Sequence, residues 1–105
     1  MDTNESLLRA ILATVARGAF PPAEIRKIVA PTAGGKKQIT AYNLCDGNTP
    51  QAEIGKRARL FQSNVSRSIS KWIEAGIVVR VGKDQYPMHV YPLTKTDLKT
   101  PVAKE

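Results

Sequence analysis

Between residues 63 and 76 the polar side chains fall in a pattern that hydrogen-bonding chemistry can use. Ser63, Arg67, Ser70, Lys71 and Glu74 share one side of a helical wheel, with Asn64 at its margin. Gln62 and Ser66 adjoin this set in the chain. Short hydroxyl and amide groups together with two cations suit hydrogen bonds to phosphate oxygens and to base edges. In such a set Arg67 matches a guanine edge with two parallel bonds, and Asn64 or Gln62 matches an adenine.

Other chemistries find little support. His89 is the single histidine, and no Ser, Asp or Glu is spaced to build a relay with it or a metal site around it. Cys45 is also single, which excludes an intrachain disulfide and a multi-cysteine zinc site, and it reads as a small core hydrophobe. Gly34-Gly-Lys-Lys37 lacks the spacing and the hydroxyl of a phosphate loop, and no hydrophobic strand precedes it. The expectation is a protein that is not an enzyme and takes no metal or cofactor.

Charge favours a polyanionic partner. Sixteen Lys and Arg against nine Asp and Glu give the 105-residue chain a net charge of +7. Seven of the cations (Lys56, Arg57, Arg59, Arg67, Lys71, Arg80 and Lys83) lie between residues 49 and 93. Hydrophobic residues make up 42%, enough for the core of one small domain, and no apolar run approaches the roughly 20 residues of a membrane span. The acidic start does not read as a secretory signal, so a cytoplasmic, nucleoid-associated location is expected.

The elements that must hold the polar set follow from periodicity. Residues 5–17 read as a helix ended by Gly18, with Leu8, Ile11, Leu12 and Val15 as an apolar stripe that either packs within the domain or is covered by a second copy of the chain. Pro22 opens a second helix through about residue 30, with Ile25, Ile28 and Val29 inward. Pro31-Thr-Ala-Gly-Gly35 is a linker, and residues 37–45 form a third helix with Ile39, Tyr42 and Cys45 on its core side. Thr49 caps a fourth helix that has Pro50 at its first position and runs through Ala58, with Ile54 and Ala58 inward. A fifth helix starts near Ser63, with Val65, Ile69, Trp72 and Ile73 at i, i+4, i+7 and i+8. After Gly76 the β-branched run 77–81 reads as a strand, residues 82–87 as a turn, and residues 88–93 as the returning strand. Thr94 to Asp97 has capping-box spacing, and residues 101–105 read as a frayed tail.

The order helix, turn, helix, hairpin resembles the winged helix-turn-helix domains of MarR- and ArsR-type regulators over roughly residues 37–95. The segment Gln51-Ala-Glu-Ile-Gly-Lys-Arg-Ala-Arg-Leu-Phe-Gln-Ser-Asn-Val-Ser-Arg67 carries most of the likeness. Within it Ile54 and Val65 look like the buried residues of the two motif helices, and Gly55 like the small residue that lets them approach. Glu74-Ala-Gly-Ile77 is similar to the family's exit into its wing, and Tyr91-Pro-Leu-Thr94 to its closing strand. Two positions depart from the pattern. Arg59 stands where the turn often has Gly, which implies a turn of different shape, and Phe61 stands where a Ser commonly caps, which moves the cap to Gln62 or Ser63.

The fold expected is mainly α with a small β-hairpin (α+β): an N-terminal helical extension over 1–35, a winged helix-turn-helix over 36–95 and a tail over 96–105. The resemblance implies a homodimeric transcriptional regulator that reads double-stranded DNA. Recognition-helix contacts are expected from Gln62, Ser63, Asn64, Ser66, Arg67, Ser70 and Lys71. Backbone and wing contacts are expected from Thr49, Gln51, Lys56, Arg57, Arg59, Lys83 and Gln85, and dimer contacts from Leu8, Ile11, Leu12 and Val15. The alternative is a winged-helix module for protein or RNA, and the apolar patch expected of a protein adaptor is missing from the outward side of helix 63–76.

Overall fold

The computed structural model describes residues 3–32 and 35–94. Five helices precede a two-stranded antiparallel hairpin: α1 (Thr3–Ala19), α2 (Pro22–Val29), α3 (Lys36–Leu44), α4 (Gln51–Ala58), α5 (Gln62–Ala75), β1 (Val78–Val81) and β2 (Tyr86–His89). The expected α+β class with a small hairpin holds at this level. No helix among the described residues is long and apolar enough to cross a membrane. The expected capping box at 94–97 and the tail lie outside the described residues.

Gly18 does not stop α1, as it was expected to. The helix runs through it to Ala19, and the Phe20 amide still donates to the Ala16 carbonyl at 2.6 Å. The stop comes from Pro21, which lacks an N–H and pushes the residue before it out of the helical region. α2 opens with Pro22 at its first position, where the missing donor costs nothing, and buries Ile25 and Val29.

These two residues share one core with Tyr42, Cys45, Ile54, Val65, Ile69 and Trp72, so a single core spans the boundary expected at residue 35. The rings of Tyr42 and Trp72 meet edge to face at its centre, 5.7 Å apart. The Tyr42 hydroxyl donates to the Tyr91 carbonyl at 2.6 Å, which satisfies a polar group that would otherwise be costly to bury.

The hairpin corrects the strand boundaries read from sequence. β1 starts at Val78 rather than Ile77, and β2 occupies 86–89 rather than 88–93, with Val81 opposite Tyr86 and Val78 opposite His89. A four-residue turn suffices because Gly82 and Gln85 both take positive φ, 72° and 56°. Pro87 sits inside β2 and is buried, and its carbonyl accepts from the Gly47 amide at 2.9 Å. Beyond it, the His89 amide donates to the Cys45 carbonyl at 2.7 Å, so residues 45–47 cover the far side of β2.

Residues 91–94 form no strand. Tyr91 donates its hydroxyl to the Phe20 carbonyl, and Leu93 exchanges two hydrogen bonds with the Asn43 side chain. Side chains take over the backbone pairing there, and the ladder ends.

Candidate nucleic-acid interface

α5 is a two-sided helix. Val65, Ile69 and Trp72 are buried, while Gln62, Ser63, Asn64, Ser66, Arg67, Ser70 and Lys71 are all exposed. Apolar residues at i, i+4 and i+7 turn one stripe to the core and leave the polar residues no place but the other side. Asn64, Arg67, Ser70, Lys71 and Glu74 line a shallow polar groove, and Gln38 of α3 closes its edge. Gln38 was not among the expected contacts, because its proximity depends on how α3 packs against α5. Among the described residues no hydrogen bond or ion pair engages the side chains of Arg67 or Lys71. Both cations therefore remain available to a ligand.

The joint between α4 and α5 departs from expectation. Arg59 takes the left-handed conformation, φ 58° and ψ 44°, so the turn keeps the shape for which glycine is usual and the side chain tolerates it. The amides of Arg59 and Leu60 close the helix onto the carbonyls of Lys56 and Gly55. α5 begins at Gln62 with Phe61 as its N-cap, not at Ser63, and no side chain caps it. The Phe61 carbonyl instead receives the Asn64 and Val65 amides, both at 3.0 Å.

Gln62 reaches back, its Nε2 donating to the Ala52 carbonyl at 3.0 Å. A side chain at Gly55 would meet that amide, so the space left by this glycine holds Gln62 rather than the α5 backbone. Gln62 is thus a brace between the two helices as well as an exposed residue.

Several backbone-contacting candidates change role. Thr49 is 8% exposed and donates its hydroxyl to Asp46 Oδ1 at 2.9 Å, and the N-cap of α4 is Pro50. Thr49 therefore leaves the expected phosphate set. Its hydroxyl is drawn inward because Asp46 turns back over the loop, also accepting from the Asn48 amide at 2.8 Å. Burial pushes the Asp46 carboxyl up, and these hydrogen bonds outweigh it, so the group titrates below its ordinary value of 3.8.

Arg57 pairs with Glu53 one turn earlier at 3.2 Å. Gln85 donates its amide to the Gly82 carbonyl at 2.8 Å and so closes the hairpin turn. Lys56, Arg59 and Lys83 are exposed, and Asp84 beside Lys83 offsets some of the charge at the hairpin tip.

Arg80, not among the expected contacts, links the hairpin to α4. Its guanidinium donates to Gln51 Oε1 at 3.5 Å and to the Gln85 carbonyl at 3.3 Å. Only the packed hairpin brings residues 29 apart into this contact.

The apolar stripe expected on α1 splits between two faces. Leu12 packs against the core, with Arg9 beside it donating to the Asp46 carbonyl at 2.8 Å. Leu7, Leu8, Ile11 and Val15 are exposed, Leu8 at 66%. The division follows from helix geometry: the docked side is centred on Ala13 and Ala16, which turns Leu8, Ile11 and Val15 away.

Of the remaining reactive groups, Cys45 and Tyr42 are buried and His89 is half-buried. Desolvation pushes the Cys45 thiol up to about 12 and the Tyr42 hydroxyl further still. His89 Nδ1 lies 3.0 Å from the Tyr42 carbonyl, and burial holds its pKa below the ordinary 6.5. Cys45 thus has the environment of a packing residue rather than of a nucleophile. Comparison with known protein families, curated proteins and solved structures finds no match for the chain.

Proposed function

We propose that this chain is a winged helix-turn-helix protein that binds double-stranded DNA sequence-specifically as a homodimer and acts in transcription. The observation that carries the reading is the outward side of α5. It gathers Ser63, Asn64, Ser66, Arg67, Ser70 and Lys71 on a helix whose inner side is locked into the core. A helix held in this way fits a major groove and offers donors and acceptors to base edges. Gln51 and Lys56 on α4 and Lys83 on the hairpin would hold phosphates on either side, with Arg80 fixing the hairpin against α4.

Dimerisation completes the reading. Leu7, Leu8, Ile11 and Val15 form an exposed aliphatic face on α1. A second copy presents the same face, and two-fold packing of identical surfaces is the commonest closed assembly. Two α5 helices related in this way would reach half-sites about 34–36 Å apart.

The test is selection from a random double-stranded library at two salt concentrations. Enrichment of a palindromic motif, with affinity falling steeply as salt rises, is the expected result. Salt-sensitive binding without an enriched motif would reduce the protein to an architectural binder. No binding at low salt would remove DNA as the partner and leave RNA or protein.

A further inference from the structure

The turn between α4 and α5 breaks three local preferences in succession. Arg59 occupies a left-handed conformation that glycine takes freely. Phe61 occupies an N-cap position that favours Ser, Thr, Asp or Asn, and its side chain supplies no cap. That same Phe61 is 79% exposed, more than any other large hydrophobic residue described. Its neighbour Leu60 packs against the core, so the fold uses an apolar group at 60 and nothing at 61. A residue that breaks local rules without a compensating contact in the fold points to a requirement outside the fold.

The surroundings narrow what that requirement is. Lys56, Arg57 and Arg59 precede Phe61, and Ser63, Asn64 and Arg67 follow it, all exposed. The other exposed large hydrophobics of the described residues lie on α1 and β1, so among the described residues no contiguous apolar patch of the size used by protein partners forms around Phe61. One aromatic side chain in a polar, cationic setting suits a single apolar group on a polyanion. In the major groove the apolar group on a base edge is the C5-methyl of thymine, and the first residues of a recognition helix are those that reach base edges.

We infer that Phe61 is a specificity-determining residue that packs on the C5-methyl of one thymine, next to the bases met by Asn64 and Arg67. This rests on the reading of α5 as a DNA-binding helix. It differs from stacking, because it requires the methyl group and no unstacking of the duplex.

The experiment uses the full chain and the duplex enriched by selection. Each thymine is replaced in turn by deoxyuridine, which removes the methyl and keeps every hydrogen-bonding group. Binding is measured for the unaltered protein, for Phe61→Ala and for Phe61→Ser. The expected result is one position at which uracil weakens the unaltered protein by about fourfold, the scale of burying one carbon group, and has no further effect on either variant.

Equal effects of uracil on all three proteins, or none at any position, would overturn the assignment. So would a Phe61→Ala variant that weakens thymine and uracil duplexes alike, since that pattern belongs to stacking or a general contact. Binding and enrichment are scored before the uracil scan, so loss of the DNA reading is distinguished from loss of this inference alone. Thermal unfolding supplies the folding control: Phe61 is exposed, and Phe61→Ser adds a cap, so its Tm is expected to stay level or rise.

Discussion

α1 and α5 differ in the large side chains they leave exposed, aliphatic on α1 and polar on α5. The outer face of α1 shows Leu7, Leu8, Ile11 and Val15, whereas that of α5 shows Ser63, Asn64, Ser66, Arg67, Ser70 and Lys71. Their inner sides do comparable work, α1 docking Leu12 and Ala16 and α5 burying Val65, Ile69 and Trp72. Amphipathicity alone therefore does not tell what a helix meets outside. An aliphatic outer face gains only by leaving water, which any complementary apolar surface allows, a second copy included. A polar outer face gains only from partners that replace water's hydrogen bonds with directed ones, and that requirement gives specificity.

The sharpest way to break this comparison is to remove the inner side of α5. Trp72→Ala leaves a cavity beside Tyr42 and is expected to lower stability by about 3–5 kcal/mol in urea unfolding. A loss below roughly 1 kcal/mol would mean that α5 is not anchored as described.

The outer side of α1 comes next. Leu8→Glu combined with Ile11→Glu puts charges on the aliphatic face and leaves the core untouched. Each buried aliphatic side chain is worth roughly 1.5–3 kcal/mol, so sedimentation at micromolar concentration is expected to show a monomer where the unaltered chain sediments as a dimer. Identical sedimentation of both proteins as monomers, free and on DNA, would leave the α1 face without its proposed partner.

The outer side of α5 should respond differently. Arg67→Ala is expected to cost about 1–3 kcal/mol of specific affinity and to relax one base position. Lys83→Ala on the hairpin should weaken every sequence alike and lower the salt dependence of binding. If Arg67→Ala also weakened all sequences equally, Arg67 would be a phosphate contact and the contrast with the hairpin would disappear.

The smallest effect expected is a pH dependence. His89 and Arg9 both line the cleft under α1. Burial lowers the His89 pKa first, the nearby Arg9 charge adds to this, and the Tyr42 carbonyl and Asp46 oppose it. A histidine whose folded pKa is depressed contributes fully above its unfolded value near 6.5 and loses that contribution as pH falls toward the folded value. Stability should therefore decline on acidification below pH 6.5, and His89→Gln should flatten that decline. An unchanged slope in the variant would assign the acid response to other groups.

Much of this arrangement was legible in the chain itself. The stripe Val65, Ile69, Trp72 marks α5 and its buried side with no further knowledge, because 3.6-residue periodicity is a local property. Proline marks the openings of α2 and α4 for the same reason. Strand limits at the hairpin were less legible, because the extended run through Leu93 continues in sequence while its hydrogen bonds pass from β1 to Asn43. Thr49 and Gln85 read as polar groups free to meet a ligand until their turns give each a partner, Asp46 and Gly82.

The sequence by itself determined the five helices of the described residues, the two-faced character of α5, the presence of a hairpin and the excess of positive charge. All four depend on spacing and composition within single segments. The tertiary structure decided which side of α1 is covered, how Arg80 ties the hairpin to α4, and that Phe61 stands exposed while Leu60 packs partly against the core. Each of those outcomes depends on elements distant in sequence arriving at one place, and a pattern confined to one segment carries no record of that arrival.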